Sequence, residues 1–445
     1  MREASGTKII ATVGPSSRDK RVLAEMVKAG VDGFRINCSH TRAGELRDLV
    51  GDIEAVGGGF TIADLAGRKL RCNHKLVARA GETLILGGAE NPFNNEIEGV
   101  QVGAAVWIGD GNLIGYVEHL EGDEISVRVE RGIETNDGVA VHIAGASLVG
   151  DCIDDGDVEM LEAAIEAGCD WIALSYVKDG IDAEKAVNIV NNRAGVIAKI
   201  ERESAVADIE GICKVVDAIM IARGDLGVEL DYVQVPKAQR DVFEYCRSIG
   251  MPVVCATEML GSMATASRPT RAEVSDVEGT MRLGYDAIVL TAETAMGQDP
   301  VKVVEVAGRI RSATELDSKE RNAGQRSDDG AIAEAAVAVG EEIEVEAIVV
   351  LTSTGRTARL VAAERPRLAS YAVAGERGIA RRISLYYGIL AVLAEREGGV
   401  EASAGAILRT LVANGSITAG AKCVLVGSRV GPDQDADLIM IRRAV

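Results

Sequence analysis

Apolar runs of four to six residues recur along the chain. Each follows an amphipathic stretch that closes on Gly or another small residue and then Asp. "KAGVDGFRIN" (Lys28–Asn37), "EAGCDWIALS" (Glu166–Ser175), "VVDAIMIAR" (Val215–Arg223) and "RLGYDAIVLT" (Arg282–Thr291) share this form. The Gly suits a helix C-cap, and an unbroken apolar run suits a strand covered on both faces. Segments such as Asp157–Gly168 and Val235–Gly250 lie between these runs and are amphipathic. The alternation predicts a parallel sheet with helical crossovers. Eight strands follow: Lys8–Val13, Gly33–Asn37, Thr61–Leu65, Trp171–Tyr176, Val196–Ile200, Ala218–Arg223, Pro252–Thr257 and Ala287–Glu293. Eight such units predict an α/β fold, a (β/α)8 barrel of TIM type, whose chemistry sits at the C-terminal ends of its strands.

From Cys72 to Gly150 the hydrophobic period changes to two, as in "AVWIGDGNLIGYVEHL" and "EISVRVERG", with hairpin turns expected at Asp110-Gly111 and Gly122-Asp123. This predicts a small all-β domain inserted at a barrel loop, placed to act as a lid. The polar stretch Glu315–Gly330 reads as a linker. Strands expected near 347–352, 370–374, 388–393, 423–427 and 438–441, with helices between, predict a small open α/β domain at the C-terminal end. The expected limits are 1–68 with 150–315 for the barrel, 69–149 for the lid, 316–329 for the linker and 330–445 for the last domain.

Polar residues gather at six of the strand ends: Arg35 to His40, Asp64, Lys199-Ile200-Glu201, Arg223-Gly224-Asp225, Thr257-Glu258 and Thr291-Ala292-Glu293. Lys199 and Glu201, two apart on a strand, point to the same side, next to Asp225 on the neighbouring strand. Two carboxylates can share one Mg²⁺ and leave positions for substrate and water. Lys199 adds a compact charge and Arg35 a planar, bidentate one. Together they suit a phosphate ester, with the amides around Gly224 and Asp225 able to hold a second anionic group. A salt bridge closing the barrel top explains Lys199 and Glu201 as well as a site does; six polar strand ends argue for the site. No G-x-x-x-x-G-K-[ST] loop is present.

Composition sharpens this. The chain has 445 residues, room for roughly three domains. With 68 acidic against 48 basic residues the net charge is −20, which argues against nucleic acid or an anionic membrane as partner. Any phosphate ligand therefore needs a local cation cluster or a metal. The eight cysteines are scattered without a C-x-x-C pair, as expected of buried thiols in a reducing cytoplasm. Met1–Thr7 reads as no signal peptide, and no apolar stretch approaches a membrane span.

The motifs "TKIIATVGPSS" (Thr7–Ser17), "RINCSH" (Arg35–His40), "IAKIE" (Ile197–Glu201), "IARGDLGVEL" (Ile221–Leu230), "PVVCATEML" (Pro252–Leu260), "RPTRAEVSDV" (Arg268–Val277) and "AETAMGQDP" (Ala292–Pro300) resemble the pyruvate kinase family, in the family's order and along nearly the whole chain. The family's short N-terminal extension looks absent. The resemblance implies transfer of a phosphoryl group from phosphoenolpyruvate to ADP in a cytoplasmic, usually tetrameric glycolytic enzyme, with Mg²⁺ or Mn²⁺ as cofactor. It implies that Lys199 stabilises the transferring phosphoryl group and the enolate oxygen, that Glu201 and Asp225 hold the divalent metal, and that Arg35 grips the phosphoryl group. Thr257 would stand at the methylene carbon, with Gly224 and Asp225 binding substrate, and Thr291 keeps the hydroxyl of the family's Ser. Pro15, Asn37, His40 and Arg71 would meet the nucleotide, although a polar loop role suits His40 equally. Thr270–Glu273 reads first as a capping box.

Departures from the family matter too. Where it has Asp-Thr-Lys-Gly-Pro-Glu-Ile-Arg, this chain has Asp64-Leu65-Ala66-Gly67-Arg68-Lys69-Leu70-Arg71. In K⁺-requiring members that Glu accompanies a K⁺ held by groups equivalent to Asn37, Ser39, Asp64 and the Leu65 carbonyl. A lysine there supplies the charge itself, so K⁺-independent activity is expected; a surface lysine at the lid hinge is the other reading. The lid run Val139–Gly145 lacks the family's lysine, and Gly109-Asp110-Gly111 keeps one of its two acids. "TSTGRTA" (Thr352–Ala358) resembles a loop for a phosphorylated effector, though a plain helix N-terminus accounts for Ser353, Thr354 and Thr357 as well. Two other classes compete: a barrel lyase or aldolase, opposed by the lid and last domain, and a binding protein without turnover, opposed by the retained polar set.

Overall fold

The computed structural model describes residues 6–109, 112–230, 232–314, 327–395, 398–431 and 434–444. Its barrel strands are β1 (Lys8–Val13), β2 (Gly33–Asn37), β3 (Phe60–Asp64), β4 (Trp171–Leu174), β5 (Gly195–Ile200), β6 (Ala218–Ala222), β7 (Val253–Ala256) and β8 (Ala287–Leu290). All pair in parallel and in sequence order, and β1 closes the barrel by pairing with both β2 and β8. Alternation of side chains divides each strand between two cores. On β1, Ile9 and Ala11 pack outward under the helices, while Ile10 fills the lumen. On β5, Ala198 and Ile200 face outward, which leaves Lys199 and Glu201 on the lumen side.

Several strands stop earlier than expected, at the last residue of their apolar run. β6 ends at Ala222, and Arg223–Glu229 is already helical. β8 ends at Leu290, followed by the helical turn Ala292–Ala295. Tyr176, Thr257 and Glu258 have φ values of 57°, 68° and 54°. Each left-handed non-glycine residue costs roughly 1–3 kcal/mol, so these bends persist only where packing holds them. They turn the strand ends into the barrel mouth.

The lid leaves after β3 and returns before the helix Asp155–Glu166. Its main sheet is antiparallel and six-stranded, with the strand Val139–Ile143 between Arg71–Cys72 and Ala105–Ile108. Gly122-Asp123 joins Asn112–Glu121 to Glu124–Val129 as expected. The turn expected at Asp110-Gly111 lies outside the described residues, as does most of the expected linker. The C-terminal unit is a five-stranded sheet, parallel except for Leu438–Arg443. Its apolar layer is continuous with the barrel lumen: Tyr386 meets Trp171 edge-on, with centroids 6.5 Å apart. All eight cysteines are free and buried. No helix among the described residues is long and apolar enough to cross a membrane.

Candidate active site

The barrel mouth opens into a cavity of about 440 Å³, lined by Arg35, Asn37, Ser39, His40, Asp64, Leu65, Lys69, Arg71, Lys199, Glu201 and Asp225. These are expected site residues contributed by strands and loops far apart in the chain. Lys199 is their centre. Its Nζ donates to Ser175 Oγ at 2.8 Å and lies 3.2 Å from Asp64 Oδ1 and 2.9 Å from Glu201 Oε1. Burial works against the ammonium charge, but Asp64 and Glu201 outweigh it and raise its pKa above the ordinary lysine value. Arg35 Nε donates to Asp64 Oδ2 at 2.6 Å, and its NH1 to Thr12 Oγ1 at 3.2 Å. Asp64 is buried, yet Arg35 and Lys199 hold its pKa below the usual carboxylate value.

Glu201 and Asp225 differ in environment. Burial raises the pKa of Glu201, and Asp225 adds to the effect against the pull of Lys199. Tyr176 N donates to Glu201 Oε2 at 2.7 Å. Its Oε1 is buried against the Lys199 ammonium, 2.9 Å away. Asp225 Oδ1 accepts from Tyr176 OH at 3.1 Å and from Lys69 Nζ at 3.3 Å. Burial opposes its charge, but Lys69 and Lys199 prevail and lower its pKa. Two neighbouring carboxylates that line one cavity, Glu201 and Asp225, fit a hard divalent cation. Among the described residues no cluster of three or more His, Cys, Asp or Glu side chains is placed to hold a metal. Two protein carboxylates, completed by water and substrate oxygens, are the set Mg²⁺ commonly takes.

The Lys69 ammonium rests on Asp225 and 5.7 Å over the Tyr176 ring, in the same cavity as the expected monovalent-cation groups. Those groups have partners of their own: Asn37 Oδ1 accepts from Ser39 N, and the Leu65 carbonyl accepts from Ser175 Oγ at 2.7 Å. Asp64 already carries two cations, whereas among the described residues Lys69 is the one cation in hydrogen-bond range of Asp225, so the lysine settles there.

Other expected residues fall into place unevenly. Thr257 Oγ1 accepts from Gly224 N at 2.8 Å, joining the ends of β6 and β7. Arg71 lines the mouth, but its NH1 is held by the Gly138 carbonyl. His40 is exposed, and Pro15 is exposed on the turn after β1, outside the cavity lining. Thr291 donates its hydroxyl to the buried Glu293 Oε2 at 3.0 Å, so its hydrogen bond is spent within its own turn. Thr270 and Glu273 form the expected capping box. Ser175 and Tyr176 were missed, although they stand at the end of the expected fourth strand and carry the same polar strand-end signal as Thr257 and Thr291.

A second, smaller cavity separates lid from barrel and is lined by Lys69, His142, Tyr176, Arg202 and Glu229 among others. His142 Nδ1 lies 3.6 Å from Glu229 Oε1, and its ring is 5.2 Å from Trp107. Burial, then Arg202 and Lys69, push its pKa from 6.5 down to about 4. The unfolded or undocked imidazole takes a proton near 6.5, the docked one only near 4. Docking is therefore fully favoured above pH 6.5 and weakens as pH falls from 6.5 towards 4. Trp107 fluorescence should report lid loosening at about pH 5 in the wild type. In His142→Gln the pH dependence should disappear; an unchanged profile would discard His142 as its source.

Comparisons with known proteins speak to the family and the fold. The family described as "Pyruvate kinase, barrel domain" matches residues 66–304, and "Pyruvate kinase, alpha/beta domain" matches 330–442. A pyruvate kinase of Agrobacterium vitis is 35% identical over 430 residues, covering 91% of this chain and 89% of that protein. One from Thermoplasma acidophilum is 31% identical over 434 residues, covering 94% and 79%. The crystal structure of a pyruvate kinase from Cryptosporidium parvum superposes with a TM-score of 0.88 at 25% identity, covering 99% of this chain and 97% of that one. The chain belongs to the pyruvate kinase family, phosphotransferases that convert phosphoenolpyruvate and ADP to pyruvate and ATP.

Proposed function

We propose that this site performs the family reaction in glycolysis through Lys199, Arg35, Glu201, Asp225 and Thr257. The observation that carries the assignment is the ammonium of Lys199, buried and charged between Asp64, Glu201 and Ser175. Arg35, fixed by Asp64 and Thr12, presents the rest of its planar donor set to the phosphoryl group. The Gly224 and Asp225 region, at the start of a helix, takes the substrate carboxylate. Thr257 faces the methylene carbon. Glu201 and Asp225 would hold Mg²⁺ or Mn²⁺, which supplies charge neutralisation between substrate and phosphate oxygens. The reaction breaks the enol oxygen–phosphorus bond and forms one from an ADP β-phosphate oxygen to the same phosphorus. The enolate then takes a proton at carbon and its oxygen becomes the ketone. Lys199 opposes the negative charge at each stage, and positioning plus electrostatics provide the catalysis.

Asn37, His40, Arg71 and Pro15 are assigned to the nucleotide side of the mouth. The domain limits proposed are 1–68 with 150–315, 69–149 and 330–445, joined by 316–329. A cytoplasmic homotetramer is the proposed assembly. A phosphorylated effector is proposed for Ser353, Thr354 and Thr357, beside Arg356, which is paired to Asp329 at 2.5 Å and Asp435 at 3.5 Å.

Lys69 supports turnover without K⁺, since its charge already stands in the mouth beside Asp225. The test is pyruvate formation from phosphoenolpyruvate, ADP and Mg²⁺ at constant ionic strength. Turnover should change by less than about twofold on adding K⁺. Lys69→Glu should restore a K⁺ requirement. A several-fold rise with K⁺ in the wild type would refute the lysine's role, and no turnover in either buffer would refute the assigned reaction.

A further inference from the structure

The turn after β7 holds two consecutive left-handed non-glycine residues, Thr257 (φ 68°) and Glu258 (φ 54°). Steric contact between Cβ and backbone opposes this conformation, so the turn needs an external hold. Arg223 provides one. Its Nε and NH2 donate to the Thr257 carbonyl at 3.3 and 2.9 Å, and NH2 also donates to the Glu258 carbonyl at 2.8 Å. Its NH1 is anchored by Asp276, 2.9 Å from Oδ1 and 2.7 Å from Oδ2, on the helix Arg271–Leu283. The arginine is buried, and the next residue, Gly224, donates its amide to Thr257 Oγ1. Thr257 Oγ1 in turn donates to the Ala256 carbonyl at 2.6 Å. One guanidinium thus turns two carbonyls inward while its neighbour's amide fixes the hydroxyl. A lysine has no planar fork to do the same.

We propose that Arg223 is a positioning residue: its guanidinium, braced by Asp276, holds Thr257 in the left-handed turn and so sets the rate of proton delivery to the substrate's methylene carbon. This rests on the assignment of Thr257 above. In the step concerned, carbon gains a proton that originates in water, the carbon–carbon π pair forms the new C–H bond, and an enolate oxygen lone pair becomes the C=O bond. Nucleotide binding does not pass through this turn.

The experiment follows exchange of pyruvate methyl protons with deuterated water by NMR, with Mg²⁺ and ATP, alongside steady-state kinetics. Arg223→Met should slow exchange about 10- to 100-fold, the scale expected of a misplaced catalytic group. It should shift the KM for ADP by less than about threefold. Arg223→Lys should recover little. In a Thr257→Val background the cost of Arg223→Met should disappear, because the clamp acts only through that hydroxyl. Glu258→Gly should restore part of the Arg223→Met loss, since glycine enters the left-handed region freely. If Arg223→Met fails to fold, Asp276→Asn, which keeps the guanidinium and weakens its brace, carries the same cycle. Equal losses in both backgrounds, or a normal exchange rate in Arg223→Met while Thr257→Val is impaired, would overturn the clamp. A normal rate in Thr257→Val would overturn the reading of Thr257 instead.

Discussion

Replacing Lys199 by Met lowers kcat for pyruvate formation by at least about 10³-fold, the range seen when a charge that stabilises a transferring phosphoryl group is removed. Methionine keeps the length and most of the volume of the side chain but none of its charge. The lost ammonium lies within 3.2 Å of Asp64 Oδ1 and 2.9 Å of Glu201 Oε1, both buried carboxylates. Arg35 still neutralises Asp64. Glu201 loses its main stabilising cation, so its pKa rises further, and a positive charge that competes with a divalent metal is lost with it. The assay must therefore be run at saturating Mg²⁺, with a thermal melt confirming the fold. A variant within about tenfold of wild type at saturating metal would remove Lys199 from the chemistry.

The largest expected loss of stability lies at the other end of the barrel. Arg365 is 3% exposed and bonds both oxygens of Asp286, at 3.2 and 2.8 Å, as well as the Gly284 and Ala362 carbonyls. Its guanidinium sits 4.8 Å from the centre of the Tyr387 ring. Asp286 itself is 1% exposed and also accepts from Val253 N and Tyr387 N. Arg365→Met leaves that carboxylate buried without a cation, which costs about 3–5 kcal/mol. The pair bridges the barrel floor and the C-terminal sheet, so urea unfolding should show that sheet detaching first. Lys302→Met is the control: its ion pair with Glu305 joins two half-exposed side chains, and its loss should cost less than about 1 kcal/mol. Equal effects from the two substitutions would show that burial does not decide the matter.

Much of this molecule is legible along the chain. The eight barrel strands begin where the apolar runs begin, because a strand covered on both faces must be apolar throughout. Lys199 and Glu201 face the lumen together because side chains alternate along a strand. The lid is visible as a change of period, and the capping box at Thr270 and Glu273 is a purely local device. What misled was the C-terminal ends of the strands. The strands stop at their last apolar residues, Ala256 and Leu290, so Thr257 and Thr291, expected as strand residues, lie beyond them. One instead occupies a left-handed turn, and the other bonds the buried Glu293. Ser175 and Tyr176 carried the same positional signal as Thr257 and were passed over.

The order of elements, the parity of side chains and the chemical class of the site were determined by the sequence alone. The first two depend on residues within one or two turns of one another, where sterics and hydrophobic period act directly; the third depends on which residue types stand at the strand ends. Which charges meet was decided only by the tertiary structure. Lys69 and Asp225 are 156 positions apart, and nothing local distinguishes Asp225 from Asp64 as the lysine's partner. Closing the barrel settled it, by bringing Arg35 and Lys199 to Asp64 and leaving Asp225 for Lys69. The opposite pKa shifts of Glu201 and Asp225 have the same origin, since burial and charge distance belong to the folded chain and not to its order.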